Sequence, residues 1–93
     1  MKAIFNEKII AESDATVFLE NNNYFPIDSI ELLYFSESNT KSTCPWKGTA
    51  SYFTIDVDGE KNIDAAWYYP NPSEKAKAIK GYVAFWKGVK VIN

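Results

Sequence analysis

The chain has 93 residues, of which 46% are hydrophobic and 16% are aromatic, and its formal net charge is -2. A chain of this length has room for one hydrophobic core, so we expect a single domain over residues 1–93. All 10 basic residues are lysines, which form no stripe and offer no bidentate arginine contacts to bases or phosphates, so we expect no nucleic-acid partner.

A single cysteine and the absence of histidine limit the chemistry of the chain. One cysteine excludes an intramolecular disulfide and a zinc site built from several thiolates, so we expect no metal and no other cofactor. Without histidine the chain has no Ser-His-Asp triad or Cys-His dyad. No apolar run approaches the ~18 residues of a membrane span, and residues 1–11 have no signal-peptide core, so we expect a cytoplasmic protein without membrane partners.

The first third of the chain predicts short strands separated by polar turns. Residues 3–5 and 8–11 indicate an opening hairpin around Asn6-Glu7, and residues 16–19 indicate a further strand. Residues 21–23, three asparagines, predict a loop.

The next segments are less regular. Residues 26–29 begin with proline and predict a short turn or one helical turn. Residues 30–35 fit either a helix or a strand. Residues 36–44, SESNTKSTC, predict a polar loop.

Residues 49–57 show the clearest strand pattern, with Ser51, Phe53, Ile55 and Val57 on one face. The sequence Asp58-Gly59 predicts a hairpin turn. Residues 62–69 then form the return strand, in which Ile63, Ala65, Trp67 and Tyr69 share a face.

Two prolines within residues 70–73 end the return strand, and Ser73 is expected to cap a helical turn over residues 74–79. Residues 81–86 and 89–92 then indicate a closing hairpin around Lys87-Gly88. About seven short strands and one or two helical turns predict a mainly β, compact two-sheet antiparallel domain. No amphipathic run is long enough for the crossover helix of a parallel fold.

The segment Cys44-Pro45-Trp46-Lys47-Gly48 is the first candidate site. A catalytic thiol must spend time as thiolate, and the nearby Lys47 ammonium is the available activator, so these two residues are candidate catalytic groups. The alternative is structural: a small buried Cys44 followed by a tight turn that ends in glycine.

Aromatic residues near this turn and in the segment DAAWYYP are candidate ligand contacts. Trp46, Tyr52, Trp67 and Tyr69 can wall a pocket for a flat or a cationic molecule, with Asp64 nearby. The alternative is that these rings, and the small pair Ala65-Ala66, only pack the core.

Two acidic segments remain ambiguous. Glu12 and Ser13 follow a strand, where they either form a turn or place a carboxylate and a hydroxyl at the pocket mouth. Asp56 and Asp58 fit a Mg²⁺-binding pair, but Asp58-Gly59 is also the expected turn.

Several ordered motifs resemble one family of small bacterial proteins, domain-of-unknown-function family 427, which also has a nucleotidyltransferase-like name. The motifs are STCPWKGTASYF, DAAWYYPNP and KGYVAFWKGVKV, with looser matches at Ala11-Glu12-Ser13 and around Tyr24. The chain departs from the family pattern by lacking a residue between Thr43 and Cys44.

This resemblance implies a tent-shaped double sheet, similar to methionine sulfoxide reductase B and the thalidomide-binding domain of cereblon. Those relatives often hold zinc through four cysteines, whereas this chain has one. Nucleotidyl transfer needs carboxylates that converge on Mg²⁺ and usually a Gly-Ser element, and the chain has no Gly-Ser pair.

The leading hypothesis is a domain that binds an unknown small molecule in an aromatic-lined pocket. The alternatives are a cysteine-dependent enzyme and a structural or protein-interaction module. We expect a monomer or a weak homodimer.

Overall fold

The computed structural model describes residues 1–93 and contains two antiparallel sheets. Helical structure is limited to three 3₁₀ segments, Ile27–Ser29, Leu32–Tyr34 and Glu74–Ile79. None of the helical segments has the length and apolar character needed to span a membrane. The nine strands are β1 (Lys2–Phe5), β2 (Lys8–Glu12), β3 (Val17–Leu19), β4 (Asn22–Pro26), β5 (Phe35–Cys44), β6 (Gly48–Val57), β7 (Glu60–Tyr68), β8 (Tyr82–Phe85) and β9 (Lys90–Ile92).

The strands form a small sheet in the order β2-β1-β9 and a large sheet in the order β3-β4-β8-β7-β6-β5. Every neighbouring pair of strands is antiparallel. The predicted fold class, a mainly β two-sheet antiparallel domain, is therefore confirmed.

The large sheet carries an apolar cluster on each of its faces. One face packs against the small sheet around a core that includes Ala3, Ile10 and Phe25. The opposite face carries a second apolar cluster, in which Tyr24 and Tyr69 lie with Ala76 and Ile79 of the last 3₁₀ segment. Because side chains alternate along each strand, the neighbouring residues Tyr24 and Phe25 pack in different apolar clusters, on opposite faces of the sheet.

The hairpin of β6 and β7 forms where the sequence predicts it. Asp58 and Gly59 have φ values of +53° and +86°, the pair of positive angles that a tight two-residue hairpin requires. The Gly59 N–H donates to Asp56 Oδ1 at 3.1 Å, so Asp56 also stabilises the turn.

A β-bulge interrupts the predicted alternation of β7. Phe53 pairs with Ala66 and Ile55 pairs with Asn62, so extra residues of β7 lie opposite Thr54. Ile63 is consequently 62% exposed, whereas Ala65 is fully buried. Ala65 and Ala66 both lie in the core between the sheets, where small side chains allow close packing.

The prediction of a loop over residues 36–44 is wrong, because β5 extends from Phe35 to Cys44 and pairs with β6. This strand is the edge of the large sheet and is mostly exposed, so no apolar alternation marks it in the sequence. The loop expected over residues 21–23 is also too long, since β4 begins at Asn22. Residues 30–35, whose sequence fits either a helix or a strand, contain the 3₁₀ segment Leu32–Tyr34.

The predicted closing hairpin is also wrong. Strand β8 pairs with β4 and β7 in the large sheet, whereas β9 pairs with β1 in the small one. The turn Lys87-Gly88 therefore connects two sheets, which local sequence does not reveal. Ser73 precedes the last 3₁₀ segment as expected but does not cap it, because its hydroxyl donates to the Trp46 carbonyl oxygen.

Candidate functional site

The segment from Cys44 to Gly48 is the tight connection between β5 and β6. Cys44 and Gly48 are paired across the two strands, so Pro45, Trp46 and Lys47 form the turn between them. Gly48 adopts φ +116°, an angle that L-residues rarely adopt. This turn directs Lys47 inward, and the residue is only 8% exposed.

Beside this turn lies a cavity of about 160 Å³ with mostly aromatic walls. It is on the face of the large sheet that carries Tyr24 and Tyr69, opposite the core between the sheets. Its lining residues come from the 44–48 turn, β6, the end of β7 and the segment after β8, and they are Lys47, Tyr52, Trp67, Tyr69 and Trp86.

Cross-strand pairing brings the aromatic walls together. Tyr52 pairs with Trp67, which pairs with Ala84 on its other side. The ring of Trp86 meets the ring of Trp67 edge-on, with centroids 5.9 Å apart. Tyr24 meets Trp67 in a second edge-on contact at 6.3 Å, so the Trp67 ring is held from two directions.

The indole N–H groups of the cavity are already hydrogen-bonded within the protein. Trp67 Nε1 donates to the Tyr24 hydroxyl at 3.2 Å, and Trp86 Nε1 donates to the backbone carbonyl of Asp64. The Tyr52 hydroxyl is bonded to Ser42 at 2.8 Å. These bonds fix the rings, so the two indoles offer π surface rather than free donors to a ligand.

The charged group of the cavity is the Lys47 ammonium, which forms an ion pair with Glu20. Glu20 lies in the turn between β3 and β4, with φ +49°, and its side chain is 47% exposed. The ammonium also lies 5.5 Å from the ring centroids of Trp46 and Tyr69, within cation–π distance. Three groups, the Glu20 carboxylate and the rings of Trp46 and Tyr69, therefore hold this lysine in place.

The pKa values of the pair shift as an ion pair requires. Burial by itself would lower the pKa of Lys47, but the hydrogen bond to Glu20 and the neighbouring tyrosines outweigh it, so the pKa is raised. The hydrogen bond from Lys47 lowers the pKa of Glu20. Burial raises the pKa of Tyr69, although Lys47 opposes the change. The lysine is therefore a cation and the tyrosine a neutral phenol at neutral pH.

The structure brings four predicted site residues to this cavity: Lys47, Tyr52, Trp67 and Tyr69. Trp46 does not line it, because its ring lies beyond Lys47, where Nε1 donates to Glu20. Cys44 does not line it either; it is half-buried and packs against the second apolar cluster.

Glu12 and Ser13 lie away from the aromatic cavity. Glu12 lines a different cavity, of about 120 Å³, beside β2. The Ser13 hydroxyl accepts from the Ala15 N–H at 2.9 Å, and the Ser13 backbone bonds to Met1. The contacts of Ser13 match the turn alternative, whereas Glu12 is the last residue of β2.

Asp64 contributes to the cavity through its backbone, since its carbonyl positions Trp86. Its side chain accepts from the Thr40 hydroxyl at 2.7 Å through Oδ2, while Oδ1 is buried without a partner. The hydroxyls of Ser38 and Thr40 lie beside this carboxyl and hold its pKa below the usual value. No three metal-ligating side chains of His, Cys, Asp or Glu come together anywhere in the protein.

Sequence reasoning missed two residues of this site, Trp86 and Glu20. The sequence predicts a closing hairpin that includes Trp86, whereas the pairing of β8 with β7 places this residue beside Trp67. Glu20 meets Lys47 across 27 positions of sequence. An acidic residue before three asparagines carries no local signal for that contact.

The fold and the cavity define a small antiparallel β domain with an aromatic-walled pocket on its larger sheet. The model of the family described as a domain of unknown function, DUF427, labelled NTP_transf_9, matches residues 1–92. The chain belongs to this family. No curated protein matches the sequence significantly.

Replacing Glu20 by glutamine is expected to flatten the pH dependence of stability. A carboxyl with a lowered pKa stabilises the fold above its unfolded pKa, near 4.5, and this stabilisation is lost as pH falls through the folded pKa. Lys47, with a raised pKa, loses its contribution as pH rises above its ordinary value of 10.5. In Glu20→Gln the free energy of unfolding should therefore fall less steeply at acid pH and at alkaline pH than in the native chain.

The measurement is urea unfolding across pH, with Glu60→Gln as the control, because Glu60 is exposed and forms no ion pair. Some loss of stability at acid pH should remain in Glu20→Gln, since Asp64 also has a lowered pKa. If Glu20→Gln and Glu60→Gln give the same profile, the ion pair does not stabilise the fold.

Proposed function

We propose that this protein binds a small molecule with a flat ring and an acceptor group in the cavity lined by Lys47, Tyr52, Trp67, Tyr69 and Trp86. The observation that supports it is the convergence of four aromatic side chains and one buried ammonium on a single cavity. Concave, mostly apolar sites with a few placed polar groups are typical of ligand pockets.

The charge of Lys47 favours a flat ligand over a cationic one. Aromatic walls attract both kinds of molecule, through stacking and through cation–π contacts. Here the ammonium of Lys47 already lies near the Tyr69 ring, and it would repel a second cation. An ammonium has three N–H donors, so Lys47 can bond to Glu20 and still donate to a carboxylate or carbonyl of the ligand.

The cysteine-dependent alternative has less support. Cys44 is half-buried and does not line the cavity, and the Lys47 ammonium is paired with Glu20. The interaction-module alternative is supported only by the exposed edge strand β5.

Benzoate, benzamide and phenyltrimethylammonium provide a graded test of the binding proposal. The three probes share one ring but differ in charge, and we expect affinity to fall in that order. The readout is the indole N–H resonance of Trp67 in a ¹H–¹⁵N NMR titration. Trp86→Ala should raise the Kd for benzoate about tenfold, the equivalent of one aromatic contact of about 1.4 kcal/mol.

The matched control is Phe18→Ala, because Phe18 is an aromatic residue that is 65% exposed and outside the cavity. It should leave the benzoate titration unchanged. Equal affinity for all three probes, or a Trp86→Ala variant that binds benzoate like the native chain, would contradict the proposal.

A further inference from the structure

A third cavity, of about 460 Å³, lies beside β6 with a polar lining. It is walled partly by Ser51, which precedes Tyr52 of the aromatic cavity, so the two cavities are on opposite faces of the large sheet. They share no lining residue. The lining residues are Lys41, Gly48, Thr49, Ser51, Pro70 and Asn71.

Two side-chain hydrogen bonds near this cavity connect β5 with β6 and with β7. Lys41 Nζ donates to Ser51 Oγ at 3.0 Å, and Tyr68, the cross-strand partner of Ser51, donates its hydroxyl proton to Glu37 Oε1 at 3.0 Å. Because the Tyr68 hydroxyl has one proton, which it donates to Glu37, it has none left for a ligand.

Lys41 is the group that remains available for a ligand. Its ammonium has three N–H donors, and the bond to Ser51 occupies one of them. Ser51 is only 6% exposed, so it holds the lysine from a fixed position. A lysine held in this way has lost part of the side-chain freedom that an ordinary surface lysine loses on binding.

The part of the lining formed by Pro70 and Asn71 is held against the start of β6. The Ser73 N–H donates to the Lys47 carbonyl at 2.9 Å, which ties the segment after β7 to the start of β6. Gly48 lies so close to this segment that an added Cβ would be 3.2 Å from the Asn71 carbonyl oxygen. Asn71 and Thr49 line the same cavity as Lys41 and carry an amide and a hydroxyl.

We propose that this cavity binds a small oxyanion, a carboxylate or a phosphate group, at the Lys41 ammonium, with Thr49 and Asn71 as neutral donors. Lys41 is the charged residue of the lining, and the nearby Glu37 is hydrogen-bonded by Tyr68. A cation and uncharged donors around a polar cavity are the groups that bind oxyanions. The site is independent of the aromatic pocket.

The test is a ¹H–¹⁵N NMR titration with inorganic phosphate and, separately, with acetate, against sodium chloride at matched ionic strength. We expect saturable shifts of the backbone amides of Gly48, Thr49 and Ser51 with one or both anions. Saturation with phosphate alone assigns the site to phosphate groups, and saturation with acetate alone assigns it to carboxylates. Lys41→Gln should weaken the binding at least tenfold.

Two further variants make the result specific. Ser51→Ala should weaken binding several-fold, because the ammonium loses its anchor, and Lys61→Gln, on the distant β6–β7 hairpin, should have no effect. Lys41 is exposed, so its variant is expected to stay folded. Shifts that sodium chloride reproduces, or equal affinity of Lys41→Gln and the native chain, would overturn the proposal.

Discussion

Replacing Tyr24 by alanine is expected to destabilise the protein by about 3–5 kcal/mol, the usual cost of truncating a large aromatic residue in a core. Tyr24 is fully buried and packs in the second apolar cluster. Its hydroxyl accepts from Trp67 Nε1, which would be left without a partner. A domain of this size has a total stability of about 5–15 kcal/mol, so the variant should unfold at a much lower temperature.

Tyr24→Phe separates packing from hydrogen bonding. It keeps the ring and its edge-on contact with Trp67 but removes the acceptor, so we expect a loss of about 1 kcal/mol. The measurement is chemical denaturation of both variants and the native chain. If Tyr24→Phe were as unstable as Tyr24→Ala, the hydroxyl rather than the ring would dominate. A native-like Tyr24→Ala would contradict the assigned burial.

Replacing Gly48 by alanine is expected to cost about 2–3 kcal/mol, because a non-glycine residue is strained at φ +116° and the new methyl group lies close to backbone. The neighbouring atom is the Asn71 carbonyl oxygen, 3.2 Å from the added Cβ. The 70–73 segment would have to move away from the turn. Since Lys47 and Asn71 lie on either side of this contact, the aromatic cavity and the polar cavity should both be disturbed.

Gly88→Ala is the matched control. Gly88 also has a positive φ, +88°, but an added Cβ would meet nothing within 4 Å. It should cost about 1 kcal/mol, the strain of the backbone angle alone. Thermal unfolding of the two variants measures the difference. Equal losses would show that the close approach of Gly48 to Asn71 does not matter to stability.

Local sequence was sufficient to predict the hairpin of β6 and β7. Alternation along residues 49–57 and the Asp58-Gly59 turn predict β6, β7 and their connection, because a half-buried strand has a period of two and only a few residues tolerate two positive φ angles. The same reasoning fails for β5. An edge strand exposed to solvent needs no apolar face, so its sequence resembles that of a loop.

The aromatic cavity was likewise predictable from the sequence only in part. The aromatic residues and Lys47 were recognisable as a group because they cluster in two short segments of sequence. The sequence did not reveal which aromatic residues line the cavity, since Trp46 lies outside it while Trp86 lies in it. Whether a ring lines a cavity depends on which strands are neighbours, and strand order depends on contacts between distant residues.

The sequence by itself determined a single mainly β domain, excluded chemistry that needs histidine or several cysteines, and marked the turn that carries Lys47. Only the tertiary structure decided that β8 and β9 belong to different sheets, that Glu20 pairs with Lys47, and that Lys41 and Ser51 meet at a polar cavity. The reason is physical: alternation and turn propensity act between neighbours in sequence, whereas strand order and ion pairs are set by packing of the whole chain.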